Sequence, residues 1–363
     1  MKQVQVLYMS HKQELYQPAI SLLQQLIAIP SFSKEEDKTA DTINSFLEKV
    51  GVKTNRYLNN IWAVNKYFDS SKPTILLNSH HDTVKPNKGY TRDPFEPEIV
   101  DNKLFGLGSN DAGGCLVSLI ACFLYYYEEK NLKYNLILAA TAEEEISGKN
   151  GVEVLLPVLP PIDFAIVGEP TLLNLAIAER GLLVIDAVVK GRAGHAARNE
   201  GDNAIYKAIQ DIQWIQQYQF DKVSDFLGSV KITVTSFHTD NKQHNVVPAS
   251  AEYLLDIRVN ELYTFEEVIT ILQHSLQATL TPRSTRLKST SIPLEHPIVQ
   301  SGIALGKTCY GSPTTSDKAL MPFPALKIGP GDSARSHTAD EFIFIEEIEQ
   351  GIDTYINLLK PLI

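Results

Sequence analysis

Residues 74–82 read Thr74-Ile75-Leu76-Leu77-Asn78-Ser79-His80-His81-Asp82. The first four are apolar or β-branched with no polar alternation, the mark of a short strand buried on both faces of a mostly parallel sheet. Asn135 to Ala140 and Phe164 to Val167 are runs of the same kind, with helical stretches between them. That order predicts an α/β domain. Upstream, Ser33 and Glu36 have the spacing of a capping box, ahead of a helix that carries Ile43, Phe46, Leu47 and Val50 on one face and meets Gly51 where a C-cap takes glycine.

Outward from this core the texture changes at about Gly181. Long alternating strands (Leu182 to Val189, Val230 to Phe237, Ala251 to Val259) are interleaved with helical stretches from Asn203 to Gln219 and from Phe265 to Ala278, the second opened by Thr264 and Glu267. With Arg286 to Ser291 as a last strand the order is β-α-β-β-α-β, the split βαβ, ferredoxin-like sandwich. After about Pro293 the first texture resumes: a helix from Pro297 to Cys309, a strand from Ala325 to Ile328, and a last helix with Ile345, Ile348, Ile352, Tyr355 and Leu359 on one stripe. The expectation is therefore a mostly parallel mixed sheet flanked by helices, built from residues 1–180 and 293–363, with residues 181–292 inserted as an α+β domain.

A chain of 363 residues exceeds the size at which single cores stop growing, which agrees with two domains. The 33 basic and 43 acidic residues leave a net charge of −10, so nothing attracts the chain to phosphate backbones or anionic membranes. The longest apolar run, Leu116 to Tyr127, is too short to span a bilayer and reads as a buried helix. The stretch after Lys2, broken by Ser10, His11 and Lys12, lacks the pattern of a secretory signal. Cys115, Cys122 and Cys309 are too few and too scattered for a disulfide framework, and the cytoplasm is the expected compartment.

Side chains suited to metal binding collect just after the predicted strands, where open α/β sheets bind ligands. His80 and Asp82 form an H-x-D pair, in which a carboxylate can fix the tautomer of a metal-binding imidazole, although an ordinary polar loop gives the same pattern. Asp111 lies in Phe105-Gly106-Leu107-Gly108-Ser109-Asn110-Asp111-Ala112-Gly113-Gly114, and taken alone it reads equally as an N-cap aspartate. Glu143, Glu144 and Glu145 follow a buried strand; such a run either faces solvent or is offset by a cation. Glu169 ends Gly168-Glu169, and His337 lies in the loop from Gly329 to Glu341. Two imidazoles and at least three carboxylates on successive strand ends make the mixed nitrogen and oxygen set that suits zinc in a two-metal hydrolytic site.

These segments, in this order, resemble the zinc-dependent amidohydrolases that include acetylornithine deacetylase, succinyl-diaminopimelate desuccinylase, aminoacylase and the glutamate-releasing carboxypeptidases. The family's G-H-x-D-V-V appears as Ser79 to Val84, its G-x-G-x-x-D as Gly106 to Asp111, and its D-E-E as Glu143 to Glu145. Its G-E-P-T appears as Gly168 to Thr171, and its late G-P-G and H-T-x-x-E segments fall between Gly329 and Glu341. The resemblance implies that Asp111 bridges two zinc ions, replaceable by cobalt, with His80 and Glu169 completing one site and Glu145 and His337 the other. It implies that Asp82 orients His80 and that Glu144 is the general base. Gly191 to Ala197 is similar to the family's G-x-x-x-H-A-A, which implies that His195 reaches the partner subunit's active site in a homodimer and stabilises the oxyanion, making the inserted domain a dimerisation and lid domain.

The resemblance also implies that Asn245, within His244 to Pro248, and Arg258, within Asp256 to Arg258, grip a substrate carboxylate; a structural salt bridge between Arg258 and Asp256 is the alternative. Ser79, Thr83, Ala112-Gly113 and Glu143 depart from the commoner family residues without removing a ligand or the base. The remaining histidines, His11, His81, His238, His274 and His296, match no ligand position and read as surface or structural. The expected partner is a small N-acyl amino acid, with no nucleic acid and no membrane. The expected reaction is hydrolysis of N-acetylornithine, as in arginine biosynthesis. N-acetylcitrulline, N-succinylornithine, succinyl-diaminopimelate and dipeptides are alternatives within the class, and a non-catalytic metal-binding scaffold is the alternative outside it.

Overall fold

The computed structural model describes residues 12–198 and 200–363; the N-terminal stretch read above for targeting, including His11, lies outside the described residues. The chain divides into two compact units, residues 1–177, 292–310 and 316–363 in the first, and residues 178–291 and 311–315 in the second.

The first unit is built on a mixed sheet with strand order Thr54–Tyr57, Asn60–Val64, Asn135–Thr141, Thr74–His80, Phe164–Val167, Ala325–Lys327 and Leu175–Glu179. Its four middle strands, from Asn135–Thr141 to Ala325–Lys327, run parallel. Their unbroken apolar runs have a direct cause in burial on both sides. Ile75, Leu77, Leu136, Leu138, Phe164 and Ile166 face a core shared with helices Gln13–Ile27, Gly114–Tyr126 and Ile345–Leu359. Leu76, Ile137, Ala139, Ala165 and Val167 face a second cluster with Val152, Leu155 and Met321. With side chains alternating between two dry faces, polar alternation has no place in these strands.

The second unit is a four-stranded antiparallel sheet in the order Lys231–His238, Ser250–Val259, Gly181–Lys190 and Thr279–Pro282. Helices Ala204–Gln217 and Phe265–Ser275 bury their apolar stripes against it, giving the β-α-β-β-α-β order of a ferredoxin-like sandwich. Thr264 and Glu267 close the expected capping box.

Three local expectations are corrected. The fourth strand is Thr279–Pro282, not 286–291, because the preceding helix stops at Ser275: the Gln277 and Ala278 N–H groups donate to the buried Asp211 carboxylate at 2.9 and 3.1 Å. The helix from Pro297 ends at Ala304, because Gly306 adopts a left-handed φ of 77° and its N–H closes on Ile303. Ser33 and Glu36 form no capping box: Glu36 directs its carboxylate to the Lys34 and Glu143 N–H groups, and Ser33 donates instead to Asp82. Among the described residues no helix is long and apolar enough to cross a membrane.

Candidate metal centre

Parallel strands deliver their C-terminal ends to one rim of the sheet, and the cluster forms there. His80 is the last residue of Thr74–His80; Glu144 and Glu145 follow Asn135–Thr141, and Glu169 follows Phe164–Val167. Ser79 Oγ donates to the Gly168 carbonyl at 2.8 Å, tying the strand ends that carry His80 and Glu169. Asp111 arrives on the loop before helix Gly114–Tyr126, and His337 on the loop after Ala325–Lys327.

The His80 ring is 1% exposed. Its Nδ1 faces the Asp82 backbone carbonyl at 3.0 Å, an atom that can only accept, so Nδ1 carries a proton and the nitrogen left to give up its proton to a metal is Nε2. That Nε2 is buried and makes no hydrogen bond. Around it stand Asp111 Oδ1 at 3.4 Å, Glu169 Oε1 at 3.7 Å and Glu144 Oε2 at 3.9 Å. The other oxygen of Asp111, Oδ2, lies 3.6 Å from His337 Nε2, which is itself 2.9 Å from Glu145 Oε2. One carboxylate thus turns an oxygen toward each imidazole.

The donor set fits divalent metal. A buried imidazole nitrogen without a partner points into a ring of carboxylate oxygens, and the ligand atoms of His80, Asp111 and Glu145, and those of His80, Glu144 and Glu169, each lie within 4.8 Å of one another. Without a cation the acids crowd one another. Burial, then the charges of Glu169, Asp317 and Glu145, hold Glu144 well above the carboxylate range against the pull of His80. Burial pushes Glu169 up to about 8, although Lys327 draws it down. The hydrogen bond to Glu145 raises His337 to about 9. For His80 burial is the largest influence and acts downward, but Asp111, Asp82, Glu144 and Glu169 together outweigh it and leave the ring well above its ordinary value. A bound cation inverts this pattern by favouring every deprotonated form.

Asp82 does more than face His80. Its carboxylate lies 3.4 Å from His80 Nδ1, farther than the backbone carbonyl, and its closer partners are the Glu144 and Glu145 N–H groups at 3.0 and 3.1 Å and the Ser33 hydroxyl at 2.7 Å. It therefore fixes the loop of both glutamates. Glu143 turns away, accepting from the Asn150 side chain at 2.8 Å.

Two buried acids that sequence reasoning left without a role complete the surroundings. Asp317 accepts from Asn78 and Thr141 at 3.0 and 2.8 Å, clamping the strands that carry His80 and Glu144. Glu341 accepts from the Gly108, Asn110 and Asp111 N–H groups at 3.0, 2.8 and 2.9 Å. Burial and then Asp111 push Glu341 up to about 8, against these three donors. The H-T-x-x-E segment marked Glu341; only the strand pairing could have marked Asp317. His81, buried between Thr39 and Asn59 and held down to about 4 by burial, is structural, and His296 caps the helix that follows it.

His195, Asn245 and Arg258 belong to the second unit. His195 is exposed on the two-residue strand Gly194–His195, which pairs with Val246–Val247, and exposed Asn245 receives the Ala196 N–H on its backbone carbonyl. Arg258 Nε and Nη2 bind both oxygens of Asp256 at 2.8 and 3.0 Å, so the salt bridge weighed as an alternative is formed.

A mixed α/β sheet whose strand ends gather imidazoles and carboxylates about a shared aspartate defines a metal-dependent hydrolase. The chain belongs to peptidase family M20/M25/M40, whose model matches residues 76–360, and it is a metal-dependent amidohydrolase. The succinyl-diaminopimelate desuccinylase of Rickettsia bellii is 26% identical, covering 93% of this chain and 95% of that protein. That of Buchnera aphidicola is 30% identical over 69% of this chain and 72% of the relative. In fold, the aminopeptidase PepT of Bacillus cereus matches 96% of this chain and 98% of its own at a TM-score of 0.77 with 16% identity. A dinuclear metal-binding M20 peptidase of Bacillus subtilis matches 96% and 99% at 0.72, also with 16% identity.

Proposed function

We propose that the chain hydrolyses the amide bond of an N-acyl amino acid at two zinc ions, one held by His80, Asp111 and Glu169 and the other by Asp111, Glu145 and His337. The observation that carries this reading is Asp111, whose two oxygens face two different imidazoles. Bound metal supplies polarisation of the scissile carbonyl and acidification of water. Glu144, half-buried beside the ligands, takes the proton of the attacking water on its carboxylate and returns it to the leaving nitrogen. Asp82 holds Glu144 by its backbone and His80 by its ring, and Ser33 holds Asp82.

The desuccinylase relatives make N-succinyl-diaminopimelate the leading substrate. N-acetylornithine, expected from the motifs, is second, because those motifs serve chemistry that both substrates share. A homodimer is proposed through the second unit, whose edge strand Lys231–His238 is largely exposed, with His195 acting across it and Asn245 meeting the substrate. Arg258, whose Nε and Nη2 are engaged by Asp256, would join Asn245 at the substrate carboxylate through its remaining N–H groups or by exchanging that partner. Three unpaired cysteines support a cytoplasmic enzyme.

The test is primary-amine release from N-succinyl-diaminopimelate, N-acetylornithine, N-succinylornithine and N-acetylcitrulline by zinc-loaded protein, with and without chelator. Chelator-sensitive turnover fastest on the first is expected. Turnover that a chelator leaves intact overturns the metal mechanism, and a zinc-loaded protein silent on all four overturns the substrate class.

A further inference from the structure

Asp82 lies two residues beyond His80 and spends its short hydrogen bonds on the backbone of a different ligand loop, that of Glu144 and Glu145. Glu341 repeats this arrangement on the other side. It lies four residues beyond His337, is 2% exposed, and directs its short bonds to the loop of Asp111: Oε2 receives the Gly108 N–H, and Oε1 receives those of Asn110 and Asp111. Its backbone joins in, because the Gly106 N–H donates to the Glu341 carbonyl at 2.9 Å and Phe342 pairs with Phe105 in the next register. The Asp111 loop needs such an anchor. Gly108 sits at a left-handed φ of 76° and Asp111 departs from helical backbone inside the single π-turn that follows, so the Asn110 and Asp111 N–H groups find their acceptor in the Glu341 carboxylate.

The geometry points to Glu341 as a positioning residue that fixes Asp111 relative to His337, and hence sets the affinity of the metal those two residues share with Glu145. This rests on the two-metal reading given above. Asp111 also serves the His80 metal, but there Asp82, Ser79 and the strand ends supply independent support. At the His337 site the histidine is half exposed and stands on a loop, so its relation to Asp111 runs through residues 337–341. Outer-shell partners of this kind typically alter metal affinity about 10–100-fold.

The experiment is competitive-chelator titration of both zinc sites in the full chain, wild type against Glu341→Gln, alongside thermal unfolding of the metal-free proteins. The glutamine keeps the volume but sets an amide N–H₂ against one of the three donors. The zinc that a His337→Ala chain fails to bind should lose about 10–100-fold in affinity while the other stays within about threefold, and excess zinc should restore full occupancy. Glu341→Asp keeps the carboxyl group but retracts it, and should weaken the same zinc to a smaller degree even if the glutamine variant folds poorly. Equal weakening of both zincs, or two unchanged affinities beside a lowered melting temperature, overturns the positioning role and leaves Glu341 as a structural acid. A wild-type chain that takes up one zinc overturns the two-metal reading and this inference with it.

Discussion

His80 can offer a metal only the nitrogen that its own chain leaves without a partner. The Asp82 carbonyl claims the Nδ1 proton, so the folded backbone has already chosen the tautomer. Of the other proposed ligands, Glu169 and His337 start protonated, whereas Asp111 is held below the usual carboxylate range. Without metal, Glu169 is neutral below about 8, and His337 is a cation below about 9. Both must deprotonate to ligate, so zinc competes with protons throughout the neutral range. Zinc binding at pH 7 should therefore release about two or more protons per chain. Its apparent affinity should climb with pH and level off once His337 has titrated, above about 9. Isothermal titration calorimetry in buffers of different ionisation enthalpy reads this directly. Heats independent of the buffer would mean that these groups are already deprotonated and that the crowding of acids about His80 is relieved in another way.

Between residues and molecule, the elements were legible where one physical signal decided them. The unbroken apolar strands marked the parallel sheet because both faces are dry, and Thr264 with Glu267 marked a helix start that side-chain bonds alone create. They were misread where a distant side chain decided. Nothing near Ala278 tells that helix Phe265–Ser275 must stop early; the cause is Asp211, on the other helix of the unit, whose buried carboxylate accepts from Gln277, Ala278 and the Tyr253 hydroxyl. Ser33 failed for the same reason, because a hydroxyl with capping-box spacing is bound to an acid 49 positions away. In the candidate metal centre His80, Asp82, Glu144, Glu145 and Glu169 stand at strand ends and Asp111 and His337 on loops, all in motifs whose spacing exposes them, whereas Asp317 acts through a pairing that spacing does not encode. Asp211→Ala should leave three donors unmet, two of them buried, and cost about 2–4 kcal/mol of stability, read by urea unfolding, with Asp211→Asn recovering part of it. A loss below about 0.5 kcal/mol, the size of an ordinary surface substitution, would show that the helix end is fixed by its own sequence.

At the scale of the molecule, every ligand of the proposed metals lies in one unit of the chain and His195 lies in the other, so the proposed role of His195 turns on which copy of the second unit would serve which centre. The exposed edge strand Lys231–His238 offers a row of unpaired backbone groups that an isologous partner would cover. If that dimer forms and His195 serves the partner's centre, two dead enzymes can repair each other. Glu144→Gln lacks the base and His195→Ala lacks the oxyanion donor, so each homodimer should be inactive while remaining dimeric and loaded with zinc. Mixed and allowed to exchange subunits, half of the dimers become hybrids, and each hybrid has one centre with both residues intact: Glu144 from one chain and His195 from the other. Activity should return to roughly a quarter of wild type, the share expected for random pairing in a two-fold dimer, with light scattering confirming that no other species forms. If His195 serves its own chain, every hybrid centre lacks one of the two groups and the mixture stays silent. Undiminished activity of His195→Ala alone would remove the histidine from the reaction altogether.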